Sequence, residues 1–197
     1  MITLGIDEVG RGCWAGPLVA AAVVLAAPIA GLKDSKKLSK AQRERLAQQI
    51  EATALAIGVG WVWPEAIDSG GISAAVKGAM AQALQQIRNR GDVVYDELIV
   101  DGNINYFPDE PTARAVIKAD NLFPAVSAAS IIAKVARDNY MATLGPTYDG
   151  YGFASHVGYG TAAHSAALLR LGVSDIHRKS FKPIKHLLAQ NAQAVNS

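Results

Sequence analysis

The chain has 197 residues, 50% of them hydrophobic and 18% charged, and carries a formal net charge of +2. This composition excludes a disordered polymer and a globally basic nucleic-acid coat, so affinity for phosphates has to come from local clusters of cations. The single cysteine, Cys13, excludes an intrachain disulfide and points to a reducing compartment, the cytoplasm.

Taken in chain order, strand-like runs occur at Ile2 to Ile6, Leu18 to Leu25, Ile57 to Trp63, Glu97 to Val100 and Arg114 to Lys118. Helical patterns cover Lys40 to Ala52, Ser73 to Arg90, Pro124 to Leu144 and Thr161 to Leu171. Early strands followed by alternating strands and helices predict an α/β fold, a mixed sheet with an antiparallel portion and parallel crossovers. The length is that of one domain, 1–197, able to bury a full core. Ala15 to Leu32 carries no charge, which touches the length of a membrane span. Gly16, Pro17, Pro28 and Gly31 interrupt it, however, and acids precede it, so Leu18 to Leu25 reads as a buried central strand and no membrane partner is expected. The Gln/Ala/Asn tail after Leu188 is expected to fray.

The chemistry concentrates where apolar runs stop. Ile2 to Ile6 runs into Asp7-Glu8, then Val9-Gly10-Arg11-Gly12; Leu98 to Val100 runs into Asp101; Ala115 to Ala119 runs into Asp120. Ligands of open α/β sheets bind outside the carboxyl ends of strands, so these acids can meet although distant in sequence. Like charges in one place need a positive offset, and hard divalent cations with oxygen ligands supply it. Two such ions about 4 Å apart are a known device for phosphodiester hydrolysis. The plain alternative is a solvated turn after an edge strand. Arg11 has its own alternative, a structural salt bridge to Asp7 or Glu8, whereas its flanking glycines would let main-chain groups reach a ribose 2′-hydroxyl.

On the Pro124 to Leu144 helix, Ser127, Ser130, Lys134 and Asp138 form a polar stripe beside the proposed site, or else a solvated face with a Lys134–Asp138 pair worth about 0.3 kcal/mol. Three further segments suit nucleic acid. Asp34-Ser35-Lys36-Lys37-Leu38-Ser39-Lys40 is a basic loop before a helix capped by Ser39. His177 to His186 interleaves cations with Phe181. Tyr148 to Thr161 is rich in glycine and aromatics, as a surface gripping a sugar or base would be.

In this order the motifs are specific, and the chain closely resembles the ribonuclease HII family, the type 2 ribonucleases H. The segments that carry the resemblance are Gly5-Ile6-Asp7-Glu8-Val9-Gly10-Arg11-Gly12, Asp34-Ser35-Lys36-Lys37-Leu38, Val100-Asp101-Gly102-Asn103, Lys118-Ala119-Asp120, Ala128 to Asp138, Gly158-Tyr159-Gly160-Thr161 and His177-Arg178-Lys179-Ser180-Phe181. The resemblance implies a ribonuclease H-like mixed five-stranded sheet flanked by helices, with a helical C-terminal extension from about residue 161. It implies an endoribonuclease that hydrolyses the RNA strand of RNA/DNA hybrids and nicks duplex DNA at embedded ribonucleotides, leaving 5′-phosphate and 3′-hydroxyl ends. By matching positions, Asp7, Glu8, Asp101 and Asp120 would hold Mg²⁺ or Mn²⁺, two ions during catalysis. Gly10, Arg11 and Gly12 would read the 2′-hydroxyl, Lys36 and Lys37 would contact the substrate, and Tyr159 would stack on a sugar; Ser130, Lys134, Asp138 and Arg178 would support them. Cys13 reads as packed rather than reactive.

Where the family commonly has His-Lys-Gly-Tyr, this chain has His156-Val157-Gly158-Tyr159, which removes a cation that could touch phosphate. A monomer is the expected state, and no clamp or polymerase partner is legible. Rival readings are a nuclease or integrase of the same broad fold that cuts DNA strands, and a non-catalytic hybrid-binding module. The first cuts all-DNA duplex; the second binds without metal and never cleaves.

Overall fold

The computed structural model describes residues 1–32 and 38–195. Its sheet has five strands in the order β3-β2-β1-β4-β5: β1 (Thr3–Val9), β2 (Leu18–Leu25), β3 (Ala54–Val62), β4 (Glu97–Asp101) and β5 (Ala113–Val116). β1, β2 and β3 pair antiparallel, and β1, β4 and β5 pair parallel, which is the mixed sheet expected. Helices α1 (Lys40–Thr53) and α3 (Pro124–Thr143) pack on one face and α2 (Pro64–Arg88) on the other.

β2 shows why the charge-free run stays inside the protein. Leu18, Ala20, Ala22 and Val24 join the α2-side core, while Val19, Ala21 and Val23 join the α1/α3-side core, so both faces of the strand are buried. Among the described residues no helix is long and apolar enough to cross a membrane. The alanines are a spacing device: Ala128, Ala129 and Ala133 of α3 meet β2 with little side-chain bulk between them. Gly5 lets the first turn of α3 sit on β1, since a Cβ there would come within 2.3 Å of the Ala125 carbonyl carbon. The start of α3 is thereby locked against the strand that carries Asp7-Glu8.

α2 approaches β3 just as closely. A Cβ at Gly60 would lie 1.9 Å from the Ala79 carbonyl oxygen. From this distance Gln86 both accepts from the Val59 amide (3.0 Å) and donates to the Val59 carbonyl (2.7 Å), and Gln82 accepts from the Trp61 amide (2.9 Å). Side chains thus occupy the outward amide and carbonyl of Val59 and the amide of Trp61 on the border strand. α2 starts earlier than the Ser73 predicted by its periodicity. Pro64 opens it, and Gly71, at φ 78°, kinks it two residues before Ser73.

Other boundaries moved as well: β1 runs on through Asp7-Glu8 to Val9, and β3 starts at Ala54 rather than Ile57. β5 stops at Val116 because Lys118 adopts a left-handed conformation (φ 57°) and starts a 3-10 turn, Ala119–Asn121. After the short helix α4 (Phe153–His156) and α5 (Ala162–Leu171), α6 (Lys182–Val195) occupies much of the tail expected to fray. The fully buried Ile184 and the packed Leu187 anchor it to a small third core. Ser39 caps α1 as expected: its hydroxyl accepts from the Gln42 amide at 3.3 Å, and the Gln42 side chain accepts from the Ser39 amide at 2.8 Å.

Candidate active site

In the parallel half of the sheet Ile6 lies beside Val100 and Asp101 beside Val116, so the β1–β4 ladder stops just before Asp7 and Asp101. Asp7 and Glu8 lie in the last three residues of β1, just before Val9, and Asp101 closes β4. The Asp101 carboxylate accepts from the Ala119 amide at 2.7 Å, which ties the 3-10 turn to β4 and delivers Asp120 to the same end. A cavity of about 500 Å³ opens there, lined by Asp7, Glu8, Asp101, Asp120, Ser130, Lys134 and Tyr159 and by the segment Val9 to Gly12.

Crowding of acids shows in their protonation. Burial, then the Glu8 charge, and also Asp101 push the Asp7 carboxyl well above its ordinary range, against a lowering hydrogen bond from Ser130. Glu8 is raised as well, by burial, while Arg11 opposes the rise. Arg11 pairs with Glu8 at 3.1 Å, so its structural alternative is realised, and half of its side chain still faces solvent. The Asp7 carboxylate accepts from the Glu8 amide (2.7 Å), and Asp120 accepts from the Asn121 side chain (2.9 Å). As they stand, no three Asp, Glu, His or Cys side chains among the described residues converge tightly enough to grip an ion.

Beneath the glycine loop lie two fully buried arginines. Arg137 donates to the carbonyls of Pro17 (2.8 Å), Val157 (2.9 Å) and Ala15 (3.1 Å). Arg178 donates to those of Gly16 (3.0 Å) and Arg11 (3.1 Å), and burial lowers its guanidinium to about 10. Tyr159 stands over them, its ring 5.8 Å from the Arg137 guanidinium and 5.4 Å from the Lys134 ammonium, and burial with its Cys13 contact pushes its phenol up to about 12. Lys134 is also held by Asp138 at 2.8 Å. Cys13 is fully buried and its thiol raised by burial, as a packed residue should be.

Ten of the fourteen candidate residues line the cavity. Asp138 does not line it but pairs with Lys134, and Arg178 does not line it but holds the backbone of the glycine loop. Lys36 and Lys37 lie outside the described residues. Two expectations need correcting. In the His177 to His186 patch, His177 and Arg178 are buried, and the Lys179 and Ser180 amides donate to Asp68 of α2, leaving a smaller exposed cationic surface. In Tyr148 to Thr161, Tyr151, Phe153 and His156 are buried, because their rings pack on one another and on His164 of α5 and His177; Tyr159 is the aromatic of the segment that lines the cavity. Arg137 escaped the sequence reading as a functional residue: it sits one turn past Lys134, and its carbonyl partners are remote in sequence.

Comparison with known proteins follows the same outline. The sequence model of the family "Ribonuclease HII" matches residues 4–184. The chain belongs to that family. "Ribonuclease HII" of Halorhodospira halophila is 49% identical over 187 residues, covering 94% of each chain. Among solved structures, that of the PCNA:RNase HII complex from Archaeoglobus fulgidus matches with a TM-score of 0.77 at 29% identity, over 92% of this chain and 96% of that one. The structure of Bst-RNase HIII in complex with Mn²⁺ matches with a TM-score of 0.72 at 22% identity, over 98% of this chain and 71% of that one, and shares the fold. Membership of the ribonuclease HII family, the enzyme class and the sheet architecture are therefore as the motifs implied.

Proposed function

We propose that this ribonuclease hydrolyses the RNA strand of RNA/DNA hybrids and nicks duplex DNA beside an embedded ribonucleotide, with divalent cations held by Asp7, Glu8, Asp101 and Asp120. The observation that carries the reading is four carboxylates from three separate segments lining one cavity together with the backbone of Gly10 to Gly12. The donor set is oxygen only, as Mg²⁺ and Mn²⁺ prefer, and the mutual repulsion of Asp7, Glu8 and Asp101 is what a cation among them would relieve. When bound, two such ions supply ionisation of the attacking water and charge stabilisation for the departing 3′-oxygen.

The rest is work for the chain's own groups. Gly12 has open space around its Cα, so a ribose can approach the main chain of the loop where its 2′-hydroxyl would be read. Arg11 and Lys134 bring positive charge to a wall otherwise acidic. Ser130 orients Asp7, and the Tyr159 ring offers a face to the neighbouring sugar. Attack on phosphorus in line with the 3′-oxygen leaves a 5′-phosphate and a 3′-hydroxyl, with no protein nucleophile needed.

The test is cleavage of a duplex carrying one ribonucleotide, with Mg²⁺, with Mn²⁺ and with chelator, the cut being mapped at both ends. An all-DNA duplex should stay intact, and Asp7→Asn should bind the hybrid yet cleave it at least a hundredfold more slowly, since the lost group acts mainly on the transition state. Cleavage of all-DNA duplex, or near wild-type activity in Asp7→Asn, refutes the proposal.

A further inference from the structure

His156 (9% exposed), His164 (0%) and His177 (0%) form a buried cluster behind Tyr159, and nothing in the proposed chemistry uses them. The His156 and His164 rings stack with centroids 4.4 Å apart, and His164 Nε2 faces His177 Nε2 at 3.0 Å. The surrounding backbone fixes where each proton sits, because carbonyls only accept and amides only donate. His156 donates from Nε2 to the Tyr151 carbonyl (2.7 Å) and accepts at Nδ1 from the Gly158 amide (3.2 Å). His164 donates from Nδ1 to the Tyr159 carbonyl (2.9 Å), which leaves its Nε2 an acceptor. His177 accepts at Nδ1 from the Ser174 amide (3.0 Å), so its proton is on Nε2 and is donated to His164.

These assignments agree with one another in a single arrangement, with all three rings neutral. A proton added to any ring would set donor against donor, at the His164–His177 contact, at Ser174 or at Gly158. Two hydrogen bonds of this cluster grip the residues that present the stacking ring, His156 at the Gly158 amide and His164 at the Tyr159 carbonyl, the two imidazoles being joined by their stack. The Gly158 carbonyl in turn accepts from the Trp14 amide (2.8 Å), just beyond the glycine loop. Leucines would pack in this cluster without the cost of burying six ring nitrogens, a cost that only a full set of partners offsets.

Resting on the reading of Tyr159 as a substrate-stacking group, we infer that His164, hydrogen-bonded by His177 and stacked on His156, is a positioning residue that sets the Tyr159 ring against the cavity through neutral, proton-ordered imidazoles. His164→Leu removes the donor to the Tyr159 carbonyl, whereas His164→Asn keeps a donor near the Nδ1 position.

The experiment is a double-mutant cycle on the duplex with one ribonucleotide, together with ¹⁵N and ring-proton NMR of the free protein. His164→Leu should raise KM and lower kcat/KM by about tenfold, the weight of one hydrogen bond. His164→Asn should recover most of that. In a Tyr159→Ala background the His164→Leu change should fall below about twofold, because the residue it acts through is gone. NMR should show Nε2–H, Nδ1–H and Nε2–H tautomers for His156, His164 and His177 at neutral pH, and a Tyr159 ring signal displaced in His164→Leu but not in His164→Asn. Full additivity in the cycle, an imidazolium at neutral pH, or an unmoved Tyr159 signal overturns the inference. If His164→Leu does not fold, His164→Asn and the wild-type tautomers still decide. If the wild-type protein cleaves no ribonucleotide-containing duplex, the reading of the cavity fails, and the NMR arm alone judges the positioning.

Discussion

Gly10 and Gly12 flank one arginine, yet the structure gives them different reasons to be glycine. Gly10 has φ +92°, and a Cβ on it would lie 2.5 Å from Arg137 Nε and 3.0 Å from the Pro17 carbonyl oxygen. Arg137 is pinned by three carbonyls and has little room to yield. For Gly10→Ala, left-handed strain of about 1–2 kcal/mol adds to overpacking of about 1–3 kcal/mol. The sum, about 2–5 kcal/mol, lowers Tm by roughly 5–15 °C in a chain of this size. Gly12 is exposed, a Cβ on it would meet nothing within 4 Å, and it needs no positive φ. Gly12→Ala therefore leaves Tm unchanged or raises it slightly, by the roughly 0.4–1 kcal/mol gained from a stiffer unfolded chain. On the function proposed above its cost appears only with substrate: a methyl where the ribose would meet the main chain would shift the reacting groups, and about 1 Å of misplacement costs about a hundredfold in rate. Scanning calorimetry and hybrid-cleavage kinetics on both variants separate the two. Wild-type cleavage by Gly12→Ala, or a loss of Tm matching that of Gly10→Ala, refutes the reasoning.

Because the Asp7 carboxyl is raised in the fold, the metal-free native state holds a proton that the unfolded chain has lost, so stability falls as pH rises above the ordinary Asp value. Asp7→Asn should lack that slope and melt higher than wild type without metal. Mg²⁺ at about a hundred times its dissociation constant should raise the wild-type Tm by about 5–10 °C and the variant's by less. His177 works in the opposite direction: its pKa is lowered to about 4, so its contribution is complete above about pH 6.5 and is lost as pH falls towards 4. Urea titrations of wild type and His177→Asn should differ in slope by up to about 1.4 kcal/mol per pH unit across that window, and parallel curves would count against a buried neutral ring. Val157, a β-branched residue at φ 44°, is strained by about 1–2 kcal/mol. Val157→Asn, suited to that conformation, should be no less stable than wild type despite the lost apolar contact, as a thermal melt will show.

The acidic ends of β1 and β4 were legible because an apolar run that stops at a carboxylate is a local pattern. The delivery of Asp120 was not: it needs Lys118 in a left-handed conformation, which no turn residue announces, and a bond from Asp101 to the Ala119 amide 18 positions away. The aromatic segment misled for a related reason. Composition cannot separate a stacking surface from a small core, and Phe153 becomes interior only because His164 and His177 arrive from later in the chain to meet it. Likewise Arg178 looks like one more surface cation until the Gly16 and Arg11 carbonyls, more than 160 positions earlier, close over it. Local periodicity gave the elements, and long-range hydrogen bonding assigned which polar groups face the cavity.

The glutamines of α2 that occupy the outer edge of β3 bear on the protein's behaviour in company. An open strand border is a template on which a second polypeptide can continue the ladder, and such templating begins domain swapping and fibril growth. Here the Val59 and Trp61 amides are already engaged, and at the opposite margin β5 is only four residues long. Many copies crowding along one duplex could therefore sit side by side without their sheets fusing into a polymer.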